Sequence, residues 1–179
     1  NDGGCVIDIR TDELLCEGLS MPHSPRWHDG RLWLLNSGTG DFGYLDGSRF
    51  VPVALCPGFA RGLTFVGDYA VIGLSKLRDN SFASGMPLRR RLEDAGIAQR
   101  CGLMVIDFNT GKPVHWLHIE GVVSELYDVA FLSGITRPYT PGFSEPHLHR
   151  GVIHVRPGVF PLAAPRPHSE PPATTPSPA

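Results

Sequence analysis

No run of about 18 consecutive apolar residues occurs in the 179-residue chain, so no segment reads as a membrane-spanning helix. The stretch after Asn1 also lacks the basic and apolar regions of a secretory signal, and the expectation is a cytoplasmic protein with sequence missing before Asn1. Charge of one sign is not concentrated anywhere: 16 Lys and Arg face 18 Asp and Glu, for a net charge of -2. That balance argues against nucleic acid or a membrane surface as partner. Cysteine is sparse, and Cys5, Cys16, Cys56 and Cys101 form no CxxC or Cys/His cluster, which argues against a zinc knuckle. Buried, reduced thiols are expected, with Cys5 and Cys16 the one pair able to face each other across a hairpin. GxSxG, Walker A and HExxH motifs are all missing.

Helical periodicity is almost absent before Gly85. Short apolar runs such as "CVIDI", "RLWLLN", "FVPVAL", "YAVIGL", "LMVIDF" and "VHWLHI" recur instead between Gly, Asp, Asn and Pro turn signals, an all-β pattern. The runs repeat. "VIDIRTDE" from Val6 and "VIDFNTGK" from Val105 are near copies, each ending in an Asp that can hold a tight turn, and "GYLDGSR" from Gly43 is a weaker third. The step from Asp8 to Asp46 recurs, lengthened, from Asp46 to Asp107. Trp27 follows Asp8 at the same distance as Phe65 follows Asp46, whereas Phe131, the matching residue after Asp107, comes slightly later.

A unit of about 40 residues with four short strands reads as a propeller blade. One blade runs "SPRWHDG", "RLWLLNSG", "FGYLDG", "RFVPVALC"; the next runs "ARGLTFVGD", "YAVIGLSK", "CGLMVIDF", "PVHWLHIE"; and "LYDVAFLSG" reads as a further inner strand. The second unit is longer by an insertion over residues 77–100, with a short helix expected from Pro87 to Ala95 on the spacing of Leu88 and Leu92. The expected fold is all-β: an incomplete β-propeller of about two four-stranded blades plus fragments over residues 1–137, an irregular segment over 138–160, and a disordered Pro-rich tail over 161–179. Eleven of the 17 prolines lie from Pro138 onward, and the tail is too poor in apolar residues to offset chain entropy; its second reading is a ligand for an SH3 or WW module. Two blades do not close a ring, so the remaining blades come from a longer parent chain or from copies of this one.

At "GLSMPHSPRWHDGRLWLLNSGTG", "CPGFARGLTFVGDYAVIGLSK" and "RCGLMVIDFNTGKPVHWLHIEGVVSELYDVAFLSG" the chain resembles a family of bacterial conserved hypothetical proteins of unknown function, some described alongside TPR-containing proteins. The resemblance covers about Gly3 to Pro138. It implies a propeller-like protein of roughly twice this length, with this chain its C-terminal half, and it carries no activity; the tail from Tyr139 departs from it.

Inner strands of a propeller line its axis, and residues at their starts are the first site candidates. His23, Ser24 and Arg26 stand at one such start, Arg61 at the second, and Glu125, Tyr127 and Asp128 at the third. His23 is either a turn residue between Pro22 and Pro25 or a ligand or general base. Arg61 either binds a carboxylate or phosphate or pairs with Glu125 or Asp128. Glu125 and Asp128, with the Asn36 carbonyl, are candidate oxygen ligands for a divalent cation such as calcium. His28 reads as an exposed turn residue, Trp27, Trp33 and Trp116 as blade packing, Arg89 to Arg91 as a solvated face or an anion-binding lid, and His147 with His149 as a same-face pair lacking a third ligand. His115 and His118 are expected on opposite faces of one strand.

The expected function is binding of a small polar or anionic molecule at the axial face. The alternatives are a protein-binding scaffold without catalysis and, by loose similarity to calcium-dependent lactonases and sugar-acid hydrolases, a metal-assisted hydrolase.

Overall fold

The computed structural model describes residues 2–77 and 85–138, together with the backbone of 152–154 and 159–161. Residues 1–131 form one compact unit, and 132–179 belong to a second.

The first unit is built from antiparallel strands joined by tight turns. β1 (Gly4–Asp8) and β2 (Glu13–Leu19) form a hairpin. β3 (Pro22–His28), β4 (Arg31–Asn36), β5 (Asp41–Asp46) and β6 (Arg49–Leu55) make a four-stranded meander in chain order. β7 (Phe59–Val66), β8 (Tyr69–Ser75), β9 (Gly102–Asp107) and β10 (Lys112–His118) make a second. Both four-strand groupings are those expected from the repeat, and Asp8, Asp46 and Asp107 end β1, β5 and β9. Turn chemistry explains two of the marker aspartates. Asp8 Oδ1 accepts the Arg10 N–H and Asp107 Oδ1 the Asn109 N–H, each at 2.9 Å. Between β3 and β4, Asp29 and Gly30 both take positive φ, 48° and 73°, the pairing that suits a two-residue hairpin turn.

β4 explains how the layers stack. Its apolar run is buried on both faces, as in a strand covered from two sides. Leu34 packs with Cys16, Leu19 and the partly buried Val6 of the β1–β2 hairpin. Trp33 and Leu35, on the opposite face, join Phe42 and the second meander's Leu63, Ile72, Met104 and Ile106. Trp33 is 2% exposed, its indole N–H donates to the His28 carbonyl at 3.1 Å, and its ring lies 5.1 to 5.8 Å from those of Phe42, Tyr44, Phe65 and Phe108.

Several expectations need correction. Trp27 is 73% exposed and Trp116 66% exposed, so neither packs the sheets as Trp33 does. Strand alternation is the reason for Trp27: its neighbour His28 turns inward to stack on Phe65 at 4.1 Å, which sends Trp27 to the uncovered face. His28 is accordingly half-buried and part of the aromatic cluster. Trp116 lies on β10, an outermost strand exposed along its whole length. The stretch 126–134 is not a strand. Its first part has no ladder to join and is held by Ser75 instead: the Leu126 N–H donates to Ser75 Oγ at 2.9 Å, which donates to the Leu126 carbonyl at 3.1 Å.

The expected helix is present as α1 (Pro87–Asp94). Leu88 and Leu92 bury against Leu77, Met86, Met21, Leu55 and Phe59, the Leu88 N–H donates to the Gly38 carbonyl, and Arg91 pairs with Asp41 at 2.8 Å. The arginine run is thus partly structural: Arg91 ties the insertion to the first meander, and Arg90 pairs with Asp94 at 3.7 Å. All four cysteines are free, Cys16 sits opposite Val6 rather than Cys5, and burial pushes the Cys56 thiol up to about 12.

In the second unit, β11 (Val152–His154) pairs antiparallel with β12 (Val159–Pro161). The expectations for His147, His149 and the tail beyond Pro161 lie outside the described residues. Among the described residues no helix is long and apolar enough to cross a membrane.

Candidate functional site

The repeat places one bulge at the same step of β3 and β7, the first strands of the two meanders. The ladder register slips between His23 and Arg26 in β3, and between Arg61 and Leu63 in β7. At the slips stand Ser24, φ 52°, and Gly62, φ 78°. The step from Ser24 to Gly62 equals that from Asp8 to Asp46. The bulges form a seam, because Ser24 Oγ accepts the Gly62 N–H at 2.9 Å. A second clamp repeats the same logic. Ser37 Oγ donates to the Ala60 carbonyl at 2.6 Å, and its counterpart one repeat on, Ser75, donates to the Leu126 carbonyl at 3.1 Å. The seam and the clamps together put Ser24 in register with Gly62, and Ala60 in register with Leu126.

These offsets define equivalent positions in three successive units. Met21, Phe59 and Glu125 form one set, and His23, Arg61 and Tyr127 the other. All six line a single cavity of about 350 Å³. Ser75 and Lys76 at the end of β8, and Leu77 and Met86 from the insertion, complete its walls.

His23 Nδ1 lies 2.8 Å from the Met21 carbonyl and 3.1 Å from Ser37 Oγ. A carbonyl oxygen only accepts, so Nδ1 carries the proton and Nε2 keeps its lone pair. Phe59 meets the ring edge-on at 5.4 Å. Partial burial holds the imidazole below its ordinary pKa; the Met21 hydrogen bond opposes this and the nearby Arg61 charge adds to it. The Arg61 guanidinium lies over the Tyr127 ring at 4.8 Å, a cation–π contact.

The His23 shift has a testable consequence. Below 6.5, its ordinary pKa, the unfolded chain binds more protons than the fold, so this contribution to stability is complete above that pH and is lost as pH falls through 6.5 toward the folded value. Melting temperatures measured from about pH 8 to about pH 5 are expected to fall more steeply for the parent than for His23→Gln. Parallel curves would show that His23 titrates alike in both states.

The remaining candidates do other work. Ser24 holds the seam. Arg26 donates to the Pro25 carbonyl at 3.0 Å and pairs with Asp128 at 3.5 Å. Asn36 Oδ1 accepts the buried Ser20 N–H at 2.8 Å, which turns its side chain into the fold rather than toward a cation. Of the three proposed oxygen donors, Glu125 alone lines the cavity, and among the described residues no three His, Cys, Asp or Glu side chains gather at one point. Arg61 sits on Tyr127 rather than in an ion pair with Asp128. His118 lies against Arg100, with ring nitrogens 2.8 and 3.0 Å from Nη1.

Sequence reasoning missed Met21, Phe59, Ser75, Lys76, Leu77 and Met86. Met21 and Phe59 carried a usable signal, since each stands two positions before a chosen candidate at the repeat spacing. Lys76 and Met86 carried none, because they reach the cavity through the insertion and the strand end that precedes it.

No curated protein and no solved structure matches the chain. One family does, over residues 1–140, and the chain belongs to it: the domain of unknown function DUF4915.

Proposed function

We propose that the two meanders are successive blades of a β-propeller, completed by further blades from a longer chain or from copies, and that the axial cavity binds a small anionic or polar molecule. The observation that carries this reading is the convergence of His23, Arg61 and Tyr127, equivalent positions in three successive units, on one cavity. A fold that needed these positions only for packing has no reason to vary them as imidazole, guanidinium and phenol around an open space. The cavity lies at the small end of the about 300–1,000 Å³ common for ligand sites.

Arg61 and Lys76 supply positive charge. The Arg61 guanidinium, over the Tyr127 ring, carries N–H donors suited to a carboxylate or phosphate. His23 Nε2 offers an acceptor to a hydroxyl of the same molecule, and Phe59, Met21 and Met86 supply apolar walls.

The test is a thermal-shift screen with sugar acids and phosphorylated metabolites. A ligand at about 100 times its Kd adds about 2.7 kcal/mol to the stability of the fold. Arg61→Ala is expected to abolish that shift while changing the unliganded melting temperature little, because Arg61 makes a surface stacking contact rather than a core one. A shift that survives Arg61→Ala, or no shift with any compound, would overturn the axial site and favour a protein-binding scaffold.

A further inference from the structure

A second cavity, of about 300 Å³, lies where β9 begins and β10 ends and shares no lining residue with the axial one. Its walls are apolar: Leu74 and Met104 from the sheet, Pro57 from the connection before β7, and Pro113 and Trp116 from the outer strand. The polar end consists of Arg100 and His118. The Arg100 backbone N–H donates to the Pro57 carbonyl at 2.9 Å, and its Nη1 lies against the His118 ring. These contacts anchor the cation at the rim.

Two features of this cleft call for an occupant of one kind. No Asp or Glu lines it, and among the described residues no carboxylate pairs with Arg100. A guanidinium fork beside apolar walls fits a planar carboxylate carried on a hydrophobic body. Trp116, exposed to 66%, presents a large indole surface to such a body. We infer that this cleft is a second binding site, specific for a small hydrophobic carboxylate whose charged end meets Arg100 and whose tail lies between Trp116, Pro113, Leu74 and Met104.

The test uses octanoate with the full chain carrying Trp27→Phe, so that Trp116 is the one exposed indole and Trp33 a constant background. Saturable change in tryptophan fluorescence is expected. 1-Octanol and octylamine, with the same tail, should bind more weakly, since loss of a charge-assisted hydrogen bond of about 1.5–3 kcal/mol is about 10- to 100-fold in Kd. Arg100→Met should weaken octanoate by the same factor and leave 1-octanol unchanged. Leu117→Glu places a carboxylate on the rim at a position 56% exposed, where folding tolerates it, and should also repel octanoate. Arg61→Ala should leave the response intact, which separates this site from the axial one. The inference is overturned by a non-saturating response, by equal affinity for 1-octanol, by full binding in Leu117→Glu, or by loss of the response in Arg61→Ala.

Discussion

Trp33→Ala is expected to cost about 3–5 kcal/mol, whereas Trp27→Ala, on the preceding strand, should stay within about 0.5 kcal/mol. The two tryptophans look alike in the sequence, each on a strand flanking the same Asp29–Gly30 turn. Their surroundings differ completely. Trp33 fills the space between the two meanders, touching aromatic rings from both, and its N–H is spent on the His28 carbonyl. Removing it opens a cavity that the rigid sheets cannot collapse into, and takes from the interface between the two meanders the ring that meets Phe65 and Phe108. Trp27 loses mainly solvent-exposed surface. Urea unfolding followed by circular dichroism would measure both variants against the parent. A Trp27→Ala loss comparable to that of Trp33→Ala would show that some further layer covers β3 in solution.

That contrast marks the limit of what the chain reveals when read residue by residue. The repeat was legible because it is written in turn chemistry: an aspartate able to hold a tight turn recurs where β1, β5 and β9 end, and period-two or continuous apolar runs fill the spaces between. Fold class and strand grouping follow from such local signals. Which face of β3 is covered does not, because Trp27 and His28 are adjacent and the covering sheet arrives a full repeat later in the chain. The fate of the 126–134 stretch was hidden for a related reason, since a strand exists only where another strand supplies a ladder, and the repeat pattern alone does not supply one. At the site, the strand-entrance rule found His23, Arg61, Glu125 and Tyr127, but it gathered Ser24, Arg26 and Asp128 with them. In β3 and β7 the bulge does the sorting: His23 and Arg61, just before the slip, line the cavity, while Ser24 and Gly62, at the slip, bond to each other across the seam.

Gly62→Ala is the sharper test of that seam, and a loss of about 2–5 kcal/mol is expected from two causes that add. Gly62 has a φ of 78°, where a Cβ costs about 1–2 kcal/mol in an L-residue. The added carbon would also stand 2.4 Å from the Val129 nitrogen and 2.6 Å from the Asp128 carbonyl carbon, backbone atoms that yield only by moving the whole segment, an overpacking cost of about 1–3 kcal/mol. Ser24→Gly at the equivalent position should change stability little: it removes the bond from the Gly62 N–H, worth about 1 kcal/mol, but relieves a strained φ of 52° by a similar amount. The functional consequence separates the two variants further. Displacing Asp128 and Val129 moves Tyr127, which carries the ring beneath Arg61, so Gly62→Ala should weaken the ligand binding proposed for that cavity even under conditions where the protein remains folded. Calorimetric titration of a ligand found in the thermal-shift screen, alongside urea unfolding, would read both effects. Undiminished affinity in a destabilised Gly62→Ala variant would mean that the third unit's segment packs against the bulge without helping to shape the cavity.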